Sequence, residues 1–375
     1  MPVVGVFGAG QLGRMLALAG YPLGLQFRFF DPAPEASAEH LADRVCASYE
    51  DQAALERFAA GLDVATFEFE NVPVGALEHI CRAVPVFPPL SALAIGQDRW
   101  EEKRCFESLG IPVPTYARVD TRSDLEEAVR QIGLPAMLKT RRMGYDGKGQ
   151  VRIRTAGDVE AAWQALQGQP LLLERYVEFD AEVSVLAVRN RTGATAFYPL
   201  VENVHGDGIL LSSRVPAPCA TPQLEEQARA YADKLLRRLD YVGVLAIEFF
   251  LERGVLLANE MAPRVHNSGH WTIEGAETSQ FENHLRAVMN WPLGSTALRG
   301  MSVMYNITGT VPDIERILRI PGAHLHLYGK APKPRRKLGH VTITADHHEA
   351  LAQRERELRM ALAAGSSGGL EPRVA

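Results

Sequence analysis

The chain has 375 residues, of which 46% are hydrophobic and 23% charged, so it is long enough for two or three domains with sizeable cores. A formal net charge of −5 argues against a dedicated nucleic-acid-binding protein, and four scattered cysteines without a CxxC pair exclude a disulfide scaffold and a zinc ribbon. No apolar run approaches the roughly 18 residues of a membrane span, and no signal peptide is visible. We therefore expect a cytoplasmic protein with no membrane and no nucleic-acid partner.

The first part of the chain alternates apolar strands with amphipathic helices. Strands are predicted at Val3–Phe7, Phe27–Asp31 and Val64–Phe69, with helices at Gln11–Ala19 and Gln52–Ala60 between them. This βαβαβ order is typical of a doubly wound α/β sheet.

The rest of the chain mixes helices and strands. Helices are predicted at about Ala92–Leu109, Asp124–Ile132, Val159–Leu166 and Gln223–Leu239. Strands are predicted at Ala136–Lys139, Val151–Arg154 and Leu171–Val177, through most of Glu182–Glu260, and in short pieces from Met301 to about Ala345. A charged helix is expected to end near Ala363, followed by a linker-like tail over residues 365–375 that we expect to be disordered.

Gly8, Gly10 and Gly13 form a GxGxxG motif between the first strand and the first helix, and Asp31 ends the next strand. This is the fingerprint of dinucleotide binding, in which backbone N–H groups and a helix N-terminus approach a phosphate. The same glycines also suit another phosphate-bearing ligand, or a tight turn that binds nothing. The motif alone leaves the three interpretations open.

A second glycine-rich loop, residues 139–150, contains three glycines, two lysines and two arginines between two predicted strands. Glycines allow such a loop to close over phosphates, and the cations neutralise their charge. The loop is not a Walker A motif, because the order strand, GxxxxGK[ST], helix is missing. A solvated basic hairpin is the alternative.

Two carboxylates are predicted to face each other across a hairpin. If the turn is centred on Gly254, residue i pairs with residue 508 − i, which places Glu248 directly opposite Glu260. Like charges there are unfavourable, and a Mg²⁺ ion shared with nucleotide phosphates would resolve the conflict. A bulge that turns one glutamate towards solvent is the alternative.

A dense polar run follows this hairpin, with Arg264, His266, Asn267 and His270 in seven residues. An arginine offers a planar clamp for a small oxyanion. Although a lone histidine is more often structural than catalytic, four such groups beside a candidate metal site favour a functional role.

A basic cluster near the C-terminus contains Lys330, Lys333, Arg335, Arg336 and Lys337. It is either a solvated loop or a clamp for a substrate phosphate. Nucleic-acid binding is disfavoured, because few aromatic residues accompany the cations and the chain is acidic overall.

In combination these motifs resemble the ATP-grasp superfamily, and within it the N5-carboxyaminoimidazole ribonucleotide synthetase family. The segments that carry the resemblance are GAGQLGRM at 8–15, TFEFENV at 66–72, GYDGKGQ at 144–150, NEMAPRVHNSGHWT at 259–272, and YGK followed by RRKLGH at 335–340. The second glycine-rich loop departs from the family pattern at Met143, where a small residue is common.

The resemblance implies an α/β chain with an ATP-grasp fold. A doubly wound pre-ATP-grasp domain would span 1–95, the ATP-grasp domain 96–295 with a lid at about 112–175, and a small β-rich domain 296–364. The implied reaction is ATP-dependent carboxylation of aminoimidazole ribonucleotide by bicarbonate through carboxyphosphate, in purine biosynthesis. It implies Mg²⁺, or Mn²⁺ in its place, as the metal, and a homodimer.

The resemblance also implies roles for particular residues. The implied ATP contacts are Arg99, Lys139, Gly144, Tyr145, Asp146, Gly147, Lys148, Gly149, Gln150, Glu174, Tyr176, Val177, Glu182, His205, Asn259 and Glu260. The implied metal ligands are Glu248 and Glu260. The implied catalytic groups are Asp146, Arg264, His266 and Asn267, and the implied ribonucleotide contacts are Gln11, Tyr145, Asp146, Lys330 and Arg336. Arg335 and Lys337 stay open as alternatives to Arg336.

Three rival functions deserve comparison. A formate-dependent glycinamide ribonucleotide transformylase shares the glycine loop and the lid, but Tyr145-Asp146 and the NSGH run favour the carboxylating enzyme. An NAD-dependent dehydrogenase leaves the lid and the facing glutamates unexplained. A non-catalytic nucleotide sensor does not need a complete polar run.

Overall fold

A computed structural model describes residues 1–144 and 147–364. The contacts expected of Tyr145 and Asp146, and the tail over residues 365–375, lie outside these residues. Within the described part of the chain, the strands form three sheets.

The first sheet is parallel, with strand order β3-β2-β1-β4. Its elements are β1 (Val3–Phe7), α1 (Gln11–Gly20), β2 (Gln26–Phe30), β3 (Asp43–Val45), α2 (Gln52–Ala59), β4 (Val64–Phe67) and α3 (Val74–Ile80). The predicted βαβαβ order is confirmed. The short edge strand β3 was not predicted, because its sequence Asp-Arg-Val contains no apolar run.

The single helix predicted over Ala92–Leu109 is wrong. The structure has two helices, α4 (Leu90–Gly96) and α5 (Arg99–Ser108). Asp98 breaks the pattern because its side chain accepts the N–H of Trp100 at 3.0 Å and caps α5. A new helix direction therefore begins at Arg99.

The second sheet is antiparallel, with order β5-β8-β6-β7, and together with its two helices we call it the lid unit. Its elements are β5 (Tyr116–Val119), α6 (Arg122–Ile132), β6 (Ala136–Thr140), β7 (Gln150–Ile153), α7 (Val159–Leu166) and β8 (Leu171–Arg175). A capping box of Thr121 and Asp124 starts α6. The glycine-rich loop joins β6 to β7.

The third sheet runs in the order β14-β13-β9-β11-β12-β15-β17-β16, with β10 added to β9. Its strands are β9 (Ala181–Arg189), β10 (Thr195–Phe197), β11 (Val201–Gly206), β12 (Ile209–Val215), β13 (Gly243–Glu252), β14 (Val255–Ala262), β15 (Met301–Thr308), β16 (Ala323–Leu327) and β17 (Lys337–Ala345). The remaining helices are α8 (Pro222–Arg238), α9 (Thr272–Gly275), α10 (Gln280–Val288), α11 (Ile314–Leu318) and α12 (His348–Ala364). Because β15 pairs with β12, the C-terminal strands continue this sheet.

One apolar cluster joins the first sheet to the third. Leu16 of α1, Val188 of β9, and Phe281 and Leu285 of α10 are buried together in it. This packing fixes the glycine loop before α1 relative to the large sheet. Among the described helices, none has the length and apolar character needed to cross a bilayer.

Candidate active site

A cavity of about 1140 Å³ is lined by residues of the second and third sheets and by residues that directly follow strands of the first, among them Gly8, Asp31 and Glu68. It collects most of the side chains that the sequence singled out. Those that line it are Gln11, Arg99, Lys139, Gly144, Gly147, Lys148, Gln150, Glu174, Tyr176, Val177, Glu182, His205, Glu248, Asn259, Glu260, Arg264, His266, Asn267, Lys330 and Arg336.

Gly149 and His270 are not part of this lining. Gly149 has φ +71°, and a Cβ there would come within 2.5 Å of Thr140 Oγ1, so it serves the β6–β7 turn. His270 is buried and its ring lies 4.8 Å from that of His340, between centroids.

The two glutamates of the hairpin lie opposite each other, as predicted, but by a different route. The turn is centred between Arg253 and Gly254, which have φ +51° and +81°, so Phe249 pairs with Ala258. A bulge at Asn259 then shifts the register by one residue and brings Glu248 opposite Glu260. The turn centre assumed from the sequence was wrong, and the bulge, which the sequence had left open as the alternative, restores the predicted pairing of Glu248 with Glu260.

This carboxylate pair fits a divalent cation. Burial, and then the charge of Glu260, raise the pKa of Glu248 to about 7. The Oδ1 atom of Asn259 is buried without a hydrogen-bond partner in the described structure. No group of three or more His, Cys, Asp or Glu side chains in the described ranges could hold a metal by itself. Mg²⁺ in proteins is commonly held by one or two carboxylates, and phosphate oxygens complete its coordination, so this pair matches its chemistry.

Cationic side chains surround the same end of the hairpin. Arg99 Nη1 lies 3.0 Å from Glu260 Oε2. Lys139 Nζ lies 2.5 Å from Glu174 Oε2, and Lys103 Nζ lies 3.1 Å from the other oxygen of Glu174. Although burial alone would raise the pKa of Glu174, the two lysines lower it to about 2. Glu174 therefore stays ionised and holds Lys139 in the cavity.

Glu182 and His205 form a second ionisable pair at 2.7 Å. Burial lowers the pKa of His205, but the hydrogen bond and charge of Glu182 outweigh it and raise the pKa to about 9. At neutral pH His205 is therefore an imidazolium beside Glu182.

The polar run after β14 is organised by buried partners. Arg264 Nε donates to Glu70 Oε2, and His266 Nε2 lies 3.3 Å from Glu248 Oε1. Asn267 and Asn306 exchange amide hydrogen bonds of 3.1 and 2.8 Å. The histidine thus lies beside Glu248, whereas the arginine is held by Glu70.

The basic cluster reaches the cavity from the C-terminal strands. Lys330 Nζ donates to Gln11 Oε1, which joins two residues that the resemblance placed together. Arg335 Nη2 donates to the carbonyl of Asp207 at 2.7 Å, and Arg336 Nη1 donates to Ala331 O at 3.2 Å. Arg335 is thereby engaged with the β11–β12 turn.

The amides of the first glycine loop are occupied by the chain itself. Glu68 accepts the N–H groups of Gly10 and Gly13, the latter at 2.5 Å, and Asp31 accepts that of Ala9 at 2.7 Å. A Cβ on Gly10 would lie 2.6 Å from Glu68 Oε1. The loop therefore accommodates a carboxylate where a dinucleotide fold would hold a pyrophosphate, which counts against the NAD interpretation.

Three family models match this chain. The ribonucleotide synthetase preATP-grasp domain matches residues 1–97, the ATP-grasp domain 104–281, and the phosphoribosylaminoimidazole carboxylase C-terminal domain 302–354. An N5-carboxyaminoimidazole ribonucleotide synthase of Pseudomonas aeruginosa is 52% identical, covering 95% of this chain and 98% of the relative. The chain belongs to the N5-carboxyaminoimidazole ribonucleotide synthase family.

Solved structures of the family agree. A synthetase from Thermus thermophilus is 54% identical with a TM-score of 0.93, covering 98% of this chain and 100% of the other. A synthase from Aspergillus clavatus, in complex with ADP and 5-aminoimidazole ribonucleotide, is 33% identical with a TM-score of 0.90, covering 97% and 99%. The predicted family and fold are confirmed.

Sequence reasoning missed Lys103, Glu102 and Glu68, each of which lies at or beside the cavity. Lys103 donates to Ala258 O and Asn259 O at 3.0 and 2.9 Å, and Glu102 accepts the N–H of Met261 at 2.6 Å. Lys103 follows Arg99 by four residues and so shares its helix face, a signal that could have found it. Glu68 directly follows β4, in the TFEFENV segment.

Proposed function

We propose that this chain uses ATP and bicarbonate to carboxylate the exocyclic amine of 5-aminoimidazole ribonucleotide. The products are N5-carboxyaminoimidazole ribonucleotide, ADP and phosphate. The observation that carries the proposal is the Glu248–Glu260 pair, which opens into one cavity with two separate cationic groups. One group, Arg99 and Lys139, suits ATP phosphates, and the other, Lys330 and Arg336, suits the phosphate of a ribonucleotide.

In the first step a bicarbonate oxygen attacks the γ-phosphorus, and ADP leaves with the electrons of the broken P–O bond. Both reactants are anions, so the side chains must offset their repulsion. Arg99 and Lys139 neutralise the phosphates, and Arg264 holds the bicarbonate by its guanidinium. Glu248 and Glu260 would hold a Mg²⁺ ion, which supplies further positive charge to the transferring phosphoryl group when bound.

In the second step the ribonucleotide amine attacks the activated carbon. Phosphate leaves, and the amine loses one proton to a base, for which the family pattern suggests Asp146. Carboxyphosphate hydrolyses readily, so the loop between β6 and β7 must cover it before it forms. Tyr145 belongs to the same loop and is proposed to contact the imidazole.

The remaining nucleotide roles are proposed on the family pattern. Tyr176 and Val177, which follow β8 and line the cavity, are proposed to contact adenine, and Glu182, paired with His205, is proposed to bind the ribose hydroxyls. Lys148, Gln150, Gly144 and Gly147 belong to the covering loop. Asn267 would complete the bicarbonate pocket beside Arg264.

Coupled ADP release tests the function directly. Release should require both aminoimidazole ribonucleotide and bicarbonate, and formate with glycinamide ribonucleotide should not support it. ADP release that is independent of the ribonucleotide would overturn the proposal, and formate-dependent release would favour the transformylase. We also propose that the protein is a cytoplasmic homodimer. Light scattering coupled to size-exclusion chromatography would measure the number of subunits.

A further inference from the structure

A buried hydrogen-bonded chain of four side chains ends on the ring of His266. Ser213 Oγ donates to Asn203 Oδ1 at 2.8 Å, and Asn203 Nδ2 donates to Ser184 Oγ at 3.0 Å. Ser184 Oγ donates to Ser268 Oγ at 2.8 Å, and Ser268 Oγ lies 2.9 Å from His266 Nδ1. We call Ser213, Asn203, Ser184 and Ser268 the hydroxyl–amide chain. Each of its members is at most 4% exposed.

The direction of this chain is set by a backbone group. The N–H of Ser268 lies 3.3 Å from His266 Nδ1, and an amide N–H can only donate. His266 Nδ1 is therefore an acceptor and carries no proton. Because Ser184 already donates to Ser268, the hydroxyl proton of Ser268 is free to point at Nδ1, and two donors converge there.

The other ring nitrogen then carries the single proton of a neutral imidazole. His266 Nε2 lies 3.3 Å from Glu248 Oε1, so it donates towards the hairpin carboxylates.

The main chain and the ring of His266 are held by different groups. The main chain of His266 is held by Gln280, whose Oε1 accepts the His266 N–H at 2.9 Å and whose Nε2 donates to His266 O at 2.6 Å. Ser184 lies directly opposite Glu248 on the neighbouring strand, so the chain and the carboxylate share one face of the sheet. The His266 ring lies between them, with Nδ1 next to Ser268 Oγ and Nε2 next to Glu248 Oε1.

We propose that the hydroxyl–amide chain positions His266 as a neutral hydrogen-bond donor through Nε2, rather than as a general base. This inference rests on the proposed function for its consequence, which is that His266 steadies anionic oxygens beside Glu248 during phosphoryl transfer. Ser268, Ser184, Asn203 and Ser213 are positioning residues in this arrangement, since they act through the histidine.

Nitrogen-15 NMR of the full chain labelled at histidine tests the tautomer without any substrate. The resonances of His266 are identified by their loss in His266→Asn. We expect an unprotonated Nδ1 and a protonated Nε2 at neutral pH. A proton on Nδ1, alone or in an imidazolium, would overturn the inference, whether or not the chain proves to be a carboxylating enzyme.

The same measurement on variants tests the chain itself. Ser268→Ala should shift the Nδ1 resonance, since it removes one donor, whereas Ser302→Ala should leave it in place. Ser302 is a matched control, because it is a buried serine of the same sheet that lies outside the hydroxyl–amide chain. An equal Nδ1 shift in both variants, or none in Ser268→Ala, would contradict the inference.

Kinetics provide a second, independent readout. We expect Ser184→Ala and Ser268→Ala each to lower kcat about tenfold with the KM for ATP unchanged, the size of one lost hydrogen bond. The double variant should lose no more than Ser268→Ala alone, because both act through one ring. If the kcat losses of the two single variants multiplied in the double variant, the proposed role of the hydroxyl–amide chain would be overturned. Ser213→Ala, at the far end, repeats the test if Ser184→Ala does not fold.

Discussion

The ammonium of Lys103 lies 3.1 Å from Glu174 Oε1, and this contact ties helix α5 to strand β8 of the lid unit. Lys103 also donates to two carbonyls at the β14 bulge, so one buried cation joins three elements around the nucleotide end of the cavity. Neither side chain is exposed by more than 2%. The bulge that aligns Glu248 with Glu260 is therefore held by a residue distant in sequence.

Lys103→Met should destabilise the protein strongly. The change leaves the Glu174 carboxylate with Lys139 alone and two bulge carbonyls without their donor, and breaking a buried pair costs about 3–5 kcal/mol. Urea unfolding measures the loss. Lys234→Met is the control, since Lys234 Nζ meets Leu109 O at the surface and should cost under about 1 kcal/mol. Equal losses in the two variants would contradict the role given to Lys103.

The Glu182–His205 pair predicts a pH-dependent stability. The folded state raises the pKa of His205 from 6.5 to about 9, so the pair stabilises fully below pH 6.5 and this contribution is lost as the pH rises through 9. Glu182→Gln should therefore lower the free energy of unfolding by about 1–3 kcal/mol at pH 6, and by little at pH 10. The free energy of unfolding is measured on the nucleotide-free protein at both pH values.

Glu252→Gln is the control for that experiment. Glu252 pairs with Arg175 at 2.8 Å, and the pKa of Glu252 is lowered and that of Arg175 raised. Neither group titrates between pH 6 and 10, so the effect of this variant should stay constant. A Glu182→Gln effect that is equally flat would mean that His205 is neutral in the folded state.

Gly10→Ala tests why the first loop needs glycine. The new Cβ would lie 2.6 Å from Glu68 Oε1, so the carboxylate must leave the loop amides and stability should fall by about 1–3 kcal/mol. Gly75→Ala, inside α3 with nothing within 4 Å, should instead stabilise by about 0.5–1 kcal/mol. Thermal unfolding compares them. A tolerated Gly10→Ala would show that the loop does not depend on Glu68.

The sequence predicted the parts of this fold that depend on local pattern. Strand and helix periodicity located β1, α1, α7 and most of the lid unit, and short motifs located the cavity residues. Prediction failed where a contact with a residue distant in the sequence determines the local structure. Glu68 reaches an amide 55 residues away, and Lys103 a carbonyl 155 residues away, and no local period encodes such contacts.

The hairpin shows the same limit in another form. The facing glutamates were predicted from simple turn arithmetic, whereas the structure reaches the same pairing through a two-residue turn and a bulge. A bulge depends on what the displaced residue meets, and here the carbonyl of Asn259 meets Lys103. Residue pairing within a hairpin can be predicted from the sequence, but the position of this bulge depends on a tertiary contact, here with Lys103.

The basic cluster should separate into two functions under mutation. Lys330→Ala and Arg336→Ala are expected to raise the KM for the ribonucleotide about tenfold or more while the KM for ATP stays the same, because each removes a charge proposed to bind its phosphate. Arg335→Ala should raise that KM less, since its guanidinium donates to Asp207 O. Initial rates at varied ribonucleotide measure all three. A rise in the KM for ATP would contradict the clamp.

Three substitutions in the proposed machinery should remove turnover without unfolding the chain. Lys139→Ala, Glu260→Gln and Arg264→Ala are each expected to lower kcat at least about 100-fold. The lysine and arginine variants lose positive charge that offsets the repulsion between bicarbonate and the γ-phosphate, and Glu260→Gln loses a carboxylate proposed to hold Mg²⁺. Thermal unfolding is the check on folding. For Arg264→Ala it should be read beside Glu70→Gln, because the two side chains are paired and a stability loss shared by both would belong to the pair. Turnover like that of the unmodified chain in any variant would remove that residue from its proposed role.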